Sequence, residues 1–239
     1  MPPRIAFLTI GQTPRTDLVP DLLRWLPRDV EATELGALDG LDAEAINSGR
    51  PAAGYLTTGL SGEVRAAGTD AGRGSGILVT RMRDGSQVVV EKEWVAGRLQ
   101  GLLDSLPAHE YRAAVLLCTG AFPRLSFSGL FVDAQHVVDH TVAALAHGAR
   151  RLGVLLPLAE QADGFHYRPR VGQEMMVSHA SPYEGDHFAA AGRALAGCDV
   201  VVMHCMGYTE DQRRRVAEAV GCPVLLARRM VAAAVAQLL

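Results

Sequence analysis

Charge of one sign, cysteine and long apolar runs are all scarce in this sequence, and each scarcity closes off a class of function. The 23 Lys and Arg against 26 Asp and Glu leave a formal net charge of −3. That balance supplies neither a basic footprint for nucleic acid nor a polybasic patch for anionic lipid. No apolar run approaches the roughly 20 residues that span a bilayer. The opening MPPRIAFLTIG has no charged segment ahead of a signal-like stretch and reads straight into a strand. Four cysteines at scattered spacings in 239 residues do not make a disulfide framework. Together these absences predict a soluble protein of a reducing, cytoplasmic compartment, with no nucleic-acid or membrane partner.

What is present is a repeated unit of short apolar run, glycine-marked turn and helical pattern. RIAFLTIG leads into QTPRTDLVPDLLRWL, where Thr13 and Pro14 suit an N-cap and first helical position. YRAAVLLCTG leads through a loop into DAQHVVDHTVAALAHG, with Asp133 as a capping residue. RLGVLLPLAE opens a further unit, CDVVVMHCMGYTEDQRRRVAEAVG another, and CPVLLARRMVAAAVAQLL closes the chain. Apolar runs without polar alternation, separated by amphipathic helices, predict an α/β fold whose parallel sheets are covered on both faces. Two halves are expected: residues 1–127, then 128–228, with helix 229–239 able to pack back on the first half.

Residues 54–76 are rich in Gly, Thr and Ser and keep no period, which reads as a mobile loop. Their GRGSG neither follows a strand nor opens a helix, so a dinucleotide loop is disfavoured. The next stretch, GILVTRMRDGSQVVVEKEWV, places two β-rich runs around Asp84-Gly85. That is an antiparallel hairpin signal, expected at the edge of an otherwise parallel sheet.

Two cysteines share one context. Cys118 closes AAVLLC before Thr119-Gly120, and Cys205 closes VVVMHC before Met206-Gly207. Both end a predicted parallel strand, the edge at which open α/β sheets bind ligands. Across a cleft between two halves, one thiolate could take a proton from carbon while the other thiol delivers one to the opposite face. Such racemisation needs no metal, pyridoxal or nicotinamide. It does need thiols ionising below the ordinary value of about 8.5, toward which a following helix N-terminus contributes. After Cys205 that start is well marked, with Thr209 and Gln212 at capping-box spacing, although Glu210 and Asp211 oppose a thiolate. After Cys118 the stretch from Pro123 to Gly129 delays the helix. Cys198 and Cys222 lack this context and are assigned to packing.

The motifs IAFLTIGQTPRTDLVPDL, LVTRMRDGSQVVVEKEWVAGRLQ, HCMGY and CPVLLARRMVAAAVAQLL resemble the AroM family across nearly the whole chain. That family resembles the aspartate/glutamate/hydantoin racemase superfamily, which includes arylmalonate decarboxylases and maleate isomerases. The segment Cys205-Met206-Gly207-Tyr208 is similar to the second-cysteine segment of the hydantoin racemase branch, and Cys118-Thr119 to the first. The first cysteine lacks the Asn that follows it in aspartate and glutamate racemases, and Cys205 lacks the adjacent Thr. The resemblance implies two Rossmann-like (flavodoxin-like) halves with pseudo-twofold symmetry, a site between them, and chemistry without a cofactor. It implies a small carboxylate or hydantoin-like substrate; a homo-oligomer is compatible with it.

Substrate contacts are expected from Gly11, Gln12, Thr13 and Arg15 in the first loop, where backbone amides and a cation could hold a carboxylate. The alternative is an ordinary capped helix with a solvated Arg15. Thr119, Gly120, Met206, Gly207 and Tyr208 complete the set, their amides suited to an enediolate. His136 and His140 share a helix face but have no third ligand, so no metal is expected. His204 points away from Cys205 and reads as packed. SHASPYEGD, residues 178–186, is a surface loop or one wall of the cleft. Catalysis is the leading reading: a racemase or epimerase, or else a decarboxylase or cis–trans isomerase. A binding protein without turnover is the reading from another class.

Overall fold

A computed structural model describes residues 2–51, 65–66 and 76–239. Along the chain run β1 (Arg4–Thr9), α1 (Val19–Leu23), β2 (Glu31–Gly36), α2 (Ala43–Ser48), β3 (Arg65–Ala66), β4 (Ile77–Arg81), β5 (Gln87–Glu91) and α3 (Lys92–Ser105). There follow β6 (Ala113–Leu116), β7 (Phe131–Asp133), α4 (Ala134–Leu145), β8 (Arg151–Leu156) and β9 (Glu174–His179). Then come α5 (Phe188–Ala194), β10 (Val200–Met203), α6 (Glu210–Val220), β11 (Val224–Leu226) and α7 (Ala227–Ala236).

Two compact units result. The first takes the chain up to Pro51, Gly76–Val137 and Val231–Leu239; the second contains Val138–Met230 and β3. The first unit therefore runs past residue 127, and β3 pairs with β9 of the second unit rather than joining the first. At the C-terminus Arg112 Nε donates to the Leu238 carbonyl at 3.0 Å, inside the first unit. Apart from Arg65, Ala66 and Gly76, the Gly/Ser-rich stretch 54–76 lies outside the described residues.

The first unit holds a parallel sheet in the order β2-β1-β6-β7. The second holds β11-β10-β8-β9, all parallel, with β3 antiparallel at the end. If the parallel strands of each unit are counted in chain order, both sheets read second, first, third, fourth. That is the flavodoxin-like order, whose ligand crevice lies where the winding reverses between first and third strands. The central strands are apolar on both faces, as RIAFLT and VVVM dictate, because helices and loops cover each side.

Two expectations are corrected. The hairpin β4–β5 forms around Asp84-Gly85, but as its own two-stranded ribbon and not as a sheet edge. Leu78, Val88 and Val90 bury it against Leu8, Leu116 and Cys118, so side-chain packing replaces a backbone ladder. The first helix begins at Val19, not at Thr13-Pro14, because Thr13 spends its amide and hydroxyl on Asp39. The helix after Cys118 is delayed as the stretch from Pro123 to Gly129 implies: β7 intervenes before α4, where Asp133 accepts from the Gln135 amide at 2.9 Å. Strand β2 was not legible as a strand, since EATELG is largely polar and pairs on one side only. Among the described residues, no helix is long and apolar enough to cross a membrane.

The first-unit core gathers Leu8, Leu99, Leu103 and Leu116 around the hairpin; the second gathers Leu155, Val201, Met203, Tyr208 and Val216. Leu8→Ala removes a fully buried side chain from a central strand and should cost about 2–5 kcal/mol. Leu145→Ala, at an exposed position, should stay within about 0.5 kcal/mol of the wild type, both variants being read by urea titration.

Candidate active site

Both cysteines lie two residues beyond the third strand of their sheet, β6 for Cys118 and β10 for Cys205. The residue before each extends the ladder by one bond. The Leu117 amide donates to the Leu8 carbonyl at 2.8 Å, and the His204 amide to the Leu155 carbonyl at 3.0 Å. Each thiol then turns back on its own loop. Gly120 N–H donates to Cys118 Sγ at 3.4 Å, and Gly207 N–H donates to Cys205 Sγ, also at 3.4 Å. A donor aimed at sulfur favours the thiolate over the thiol. These two amides, which the sequence offered to a carboxylate, point at the thiols.

Glycine is needed in both turns for room. A side chain at Gly120 would drive into Leu78, and one at Gly207 into the Tyr183 hydroxyl and Pro182. In the second turn the buried Arg228 donates to the carbonyls of Met206, at 3.2 Å, and Gly207, at 2.9 Å. The Met206 carbonyl and the Gly207 N–H belong to one planar trans peptide and point in opposite directions. Anchoring that carbonyl on Arg228 therefore aims the amide at Cys205.

The two thiols meet different fields. Lys92, first residue of α3, interacts electrostatically with Cys118; burial holds its ammonium below the usual range, against the pull of Cys118 and Glu93. Cys205 precedes α6, whose capping box is complete: Thr209 Oγ1 accepts from Gln212 N, and Gln212 Oε1 from Thr209 N. Burial pushes the Cys198 thiol up to about 11, and burial also raises that of Cys222. Burial thus disfavours the thiolate at both.

The remaining candidates divide. Met206 and Tyr208 are core side chains, with the Tyr208 hydroxyl donating to the Ala180 carbonyl at 2.9 Å, so neither presents its side chain to a ligand. Thr119 is buried beside Cys118. In the first loop, Gly11 packs against Thr80 and the Arg81 carbonyl. Gln12 Oε1 accepts from the Arg83 amide at 3.0 Å, and Thr13 Oγ1 donates to Asp39 at 2.6 Å. Arg15 is neither solvated nor on a capped helix. Its buried guanidinium grips both Asp17 oxygens, at 2.9 and 2.8 Å, and Thr9 Oγ1 at 2.8 Å. Asp17 would be raised by burial, but Arg15 overcomes this and lowers it. The segment 178–186 packs on the Cys205 turn through Pro182 and Tyr183, and Gln212 Nε2 donates to the Pro182 carbonyl at 2.9 Å.

One cluster escaped the sequence reading. His136 and His140 are exposed on α4, but Asp139 between them turns inward. Its Oδ1 meets His204 Nε2 and its Oδ2 meets His166 Nε2, each at 2.8 Å. Burial would raise the Asp139 carboxyl; the two imidazoles outweigh it and hold it well below the carboxylate range. Burial pushes His204 down, against the Asp139 carboxylate. The available signal was an Asp next to the buried Val138 in the helical pattern, but its partners lie far away in sequence.

The AroM protein family model matches residues 5–67 and 61–239. The chain belongs to the AroM family. No curated protein matches the sequence. Among solved structures, glutamate racemase from Francisella tularensis subsp. tularensis SCHU S4, in complex with D-glutamate, aligns with a TM-score of 0.56 at 11% identity, covering 99% of this chain and 81% of that one. Allantoin racemase from Pseudomonas fluorescens aligns at 0.53 and 12% identity, over 98% and 89%. A serine mutant of Nocardia farcinica maleate cis–trans isomerase, carrying a covalently bound succinylcysteine intermediate, aligns at 0.53 and 12%, over 99% and 92%. At these identities the likeness establishes a shared α/β fold.

The turn geometry makes a reactivity order. Iodoacetamide at neutral pH should modify Cys205, the less buried of the matched pair, before Cys198 and Cys222, as read by peptide mass mapping. Arg228→Met should slow alkylation of Cys205 and leave that of Cys118 unchanged, because it releases the carbonyl that aims the Gly207 amide.

Proposed function

We propose that this AroM protein is a cofactor-independent racemase or epimerase, acting on a carbon acid beside a carboxylate or hydantoin-like carbonyl. Cys118 and Cys205 are its two acid/base groups. The observation that carries the reading is the matched thiol turn: same strand of the same winding order, same offset, same glycine amide on sulfur. A duplicated core position needs no such duplicated donor, whereas a proton transfer run in both directions does.

In one direction the thiolate of one cysteine takes the proton from the substrate carbon and becomes a thiol. The electron pair left on carbon delocalises into the adjoining carbonyl. The other cysteine, present as thiol, returns a proton to the opposite face and is left as thiolate. The reverse reaction exchanges the roles. Each sulfur must therefore be stable in both states. The Gly120 and Gly207 amides, with Lys92 near Cys118 and the start of α6 after Cys205, supply that stabilisation on each side. Glutamate, allantoin and maleate in the names of the similar structures suggest the substrate class. A reducing, cytoplasmic setting would keep both thiols free.

Solvent-deuterium exchange tests this. Wild-type protein should wash deuterium into one member of a panel of amino acids, hydroxy acids and hydantoins. Cys118→Ser and Cys205→Ser should each lower net racemisation by about 10²–10⁴-fold, since a hydroxyl ionises far less readily than a thiol. Each variant should still abstract the proton of one enantiomer, read as β-elimination from opposite enantiomers of a chlorinated analogue. Turnover that survives loss of one cysteine would instead mark a decarboxylase or cis–trans isomerase. Tight binding of a panel member without any wash-in would mark a binding protein.

A further inference from the structure

The two thiol turns share their strand position and their glycine amide on sulfur, but they differ at the residue before the cysteine. The residue that ties each turn to the first strand is Leu117 in the first unit and His204 in the second, both buried. Leu117 shows that an apolar side chain satisfies this position. His204 puts a polar ring there and then supplies it with two polar neighbours.

Those neighbours come from separate elements. Asp139 lies on α4, His166 in the loop after β8, and His204 just past β10. Both imidazoles present Nε2 toward one carboxylate, each at 2.8 Å, and one ligand atom from each residue lies within 4.8 Å of the others. The rings sit 5.5 Å apart, and Phe165 packs edge-on against His204 with centroids at 4.8 Å. Side-chain exposure rises from 3% at His204 through 13% at Asp139 to 24% at His166. The cluster is thus closed by apolar packing on its inner side and opens toward solvent at His166.

We propose that Asp139, His166 and His204 form a binding site for a divalent transition-metal ion of the zinc class. Two imidazole nitrogens and one carboxylate oxygen match the borderline character of such ions, with bonds of about 2.0–2.2 Å. Zinc-sized coordination needs a small inward turn of His166, the most exposed of the three. With His166 the most exposed of the three, a solvent ligand would complete the tetrahedron from its side. The ion would join the loop after the second unit's first strand to the end of its third strand. These are the two positions that flank the crevice in this winding order, and the second carries Cys205. The site stands independently of the racemase reading.

Protein freed of metal with a chelator, then titrated with Zn²⁺ in a calorimeter, should bind one equivalent through this cluster. Loading with Co²⁺ should give visible d–d absorption without a thiolate charge-transfer band. Asp139→Asn and His204→Leu should each weaken Zn²⁺ binding by about 100-fold or more, since even outer-shell changes at such sites cost about 10–100-fold. The double variant His136→Ala/His140→Ala, at exposed positions on the same helix, should bind like wild type. His204→Leu places in the second unit the residue type that the first unit carries there, and circular dichroism checks that it folds. Absence of binding overturns the proposal. So does binding unaffected by Asp139→Asn and His204→Leu, or a charge-transfer band that assigns the ion to a cysteine; the cluster would then be a hydrogen-bonded His–Asp–His brace.

Discussion

The backbone hydrogen bond from the residue before each cysteine to the first strand of its sheet is what the rest of the site depends on. Leu117 to Leu8 and His204 to Leu155 carry the third strand one step beyond its neighbours. A turn of two residues then brings a glycine amide back onto the sulfur. Without that last rung the strand end would fray, and neither thiol would have a fixed donor. Parallel ladders end in open carbonyls and amides at this edge, so a residue placed here can be both anchored by backbone and open to chemistry.

Buried cations govern the surrounding loops, and they work as scaffolding. Arg228 satisfies two carbonyls of the Cys205 turn, while Arg15 is neutralised by a bidentate Asp17. A guanidinium removed from water must be hydrogen-bonded, and both reach protein oxygens. The consequence for ligand recognition is direct: Arg15 cannot offer a free charge to a substrate without giving up Asp17. Asp39 does comparable work in the first loop, accepting from Thr13 and the Gly36 amide at once. The loop after β1 is therefore a pre-formed shape, held by polar contacts whose partners come from β2, the turn after it and the hairpin.

Strand and helix succession was legible because its signals are local. Apolar runs such as AFLT, AVLL and VVVM, bounded by turn residues, read as doubly covered strands, and Thr209 to Gln212 is a capping box in sequence and in space. The matched cysteines were legible for the same reason, since each belongs to a strand-end pattern a few residues long. Reading failed where a long-range partner decided the outcome. Thr13 looks like a helix cap until Asp39 takes its hydroxyl. Arg15 looks solvated until Asp17 and Thr9 enclose it. Tyr208 looks like a ligand contact until Phe188 and the Ala180 carbonyl bury it.

Legible from sequence were the α/β class, the strands that lead to Cys118 and Cys205, and the glycines that let the chain turn back after each. Those features follow from period, propensity and steric freedom within a dozen residues. Tertiary structure alone decided the common winding order of the two sheets and the detachment of the hairpin as a separate ribbon. It also decided the meeting of Asp139 with His166 and His204. Each of these joins groups from distant parts of the chain, where strand pairing and side-chain packing, rather than local preference, choose the neighbour.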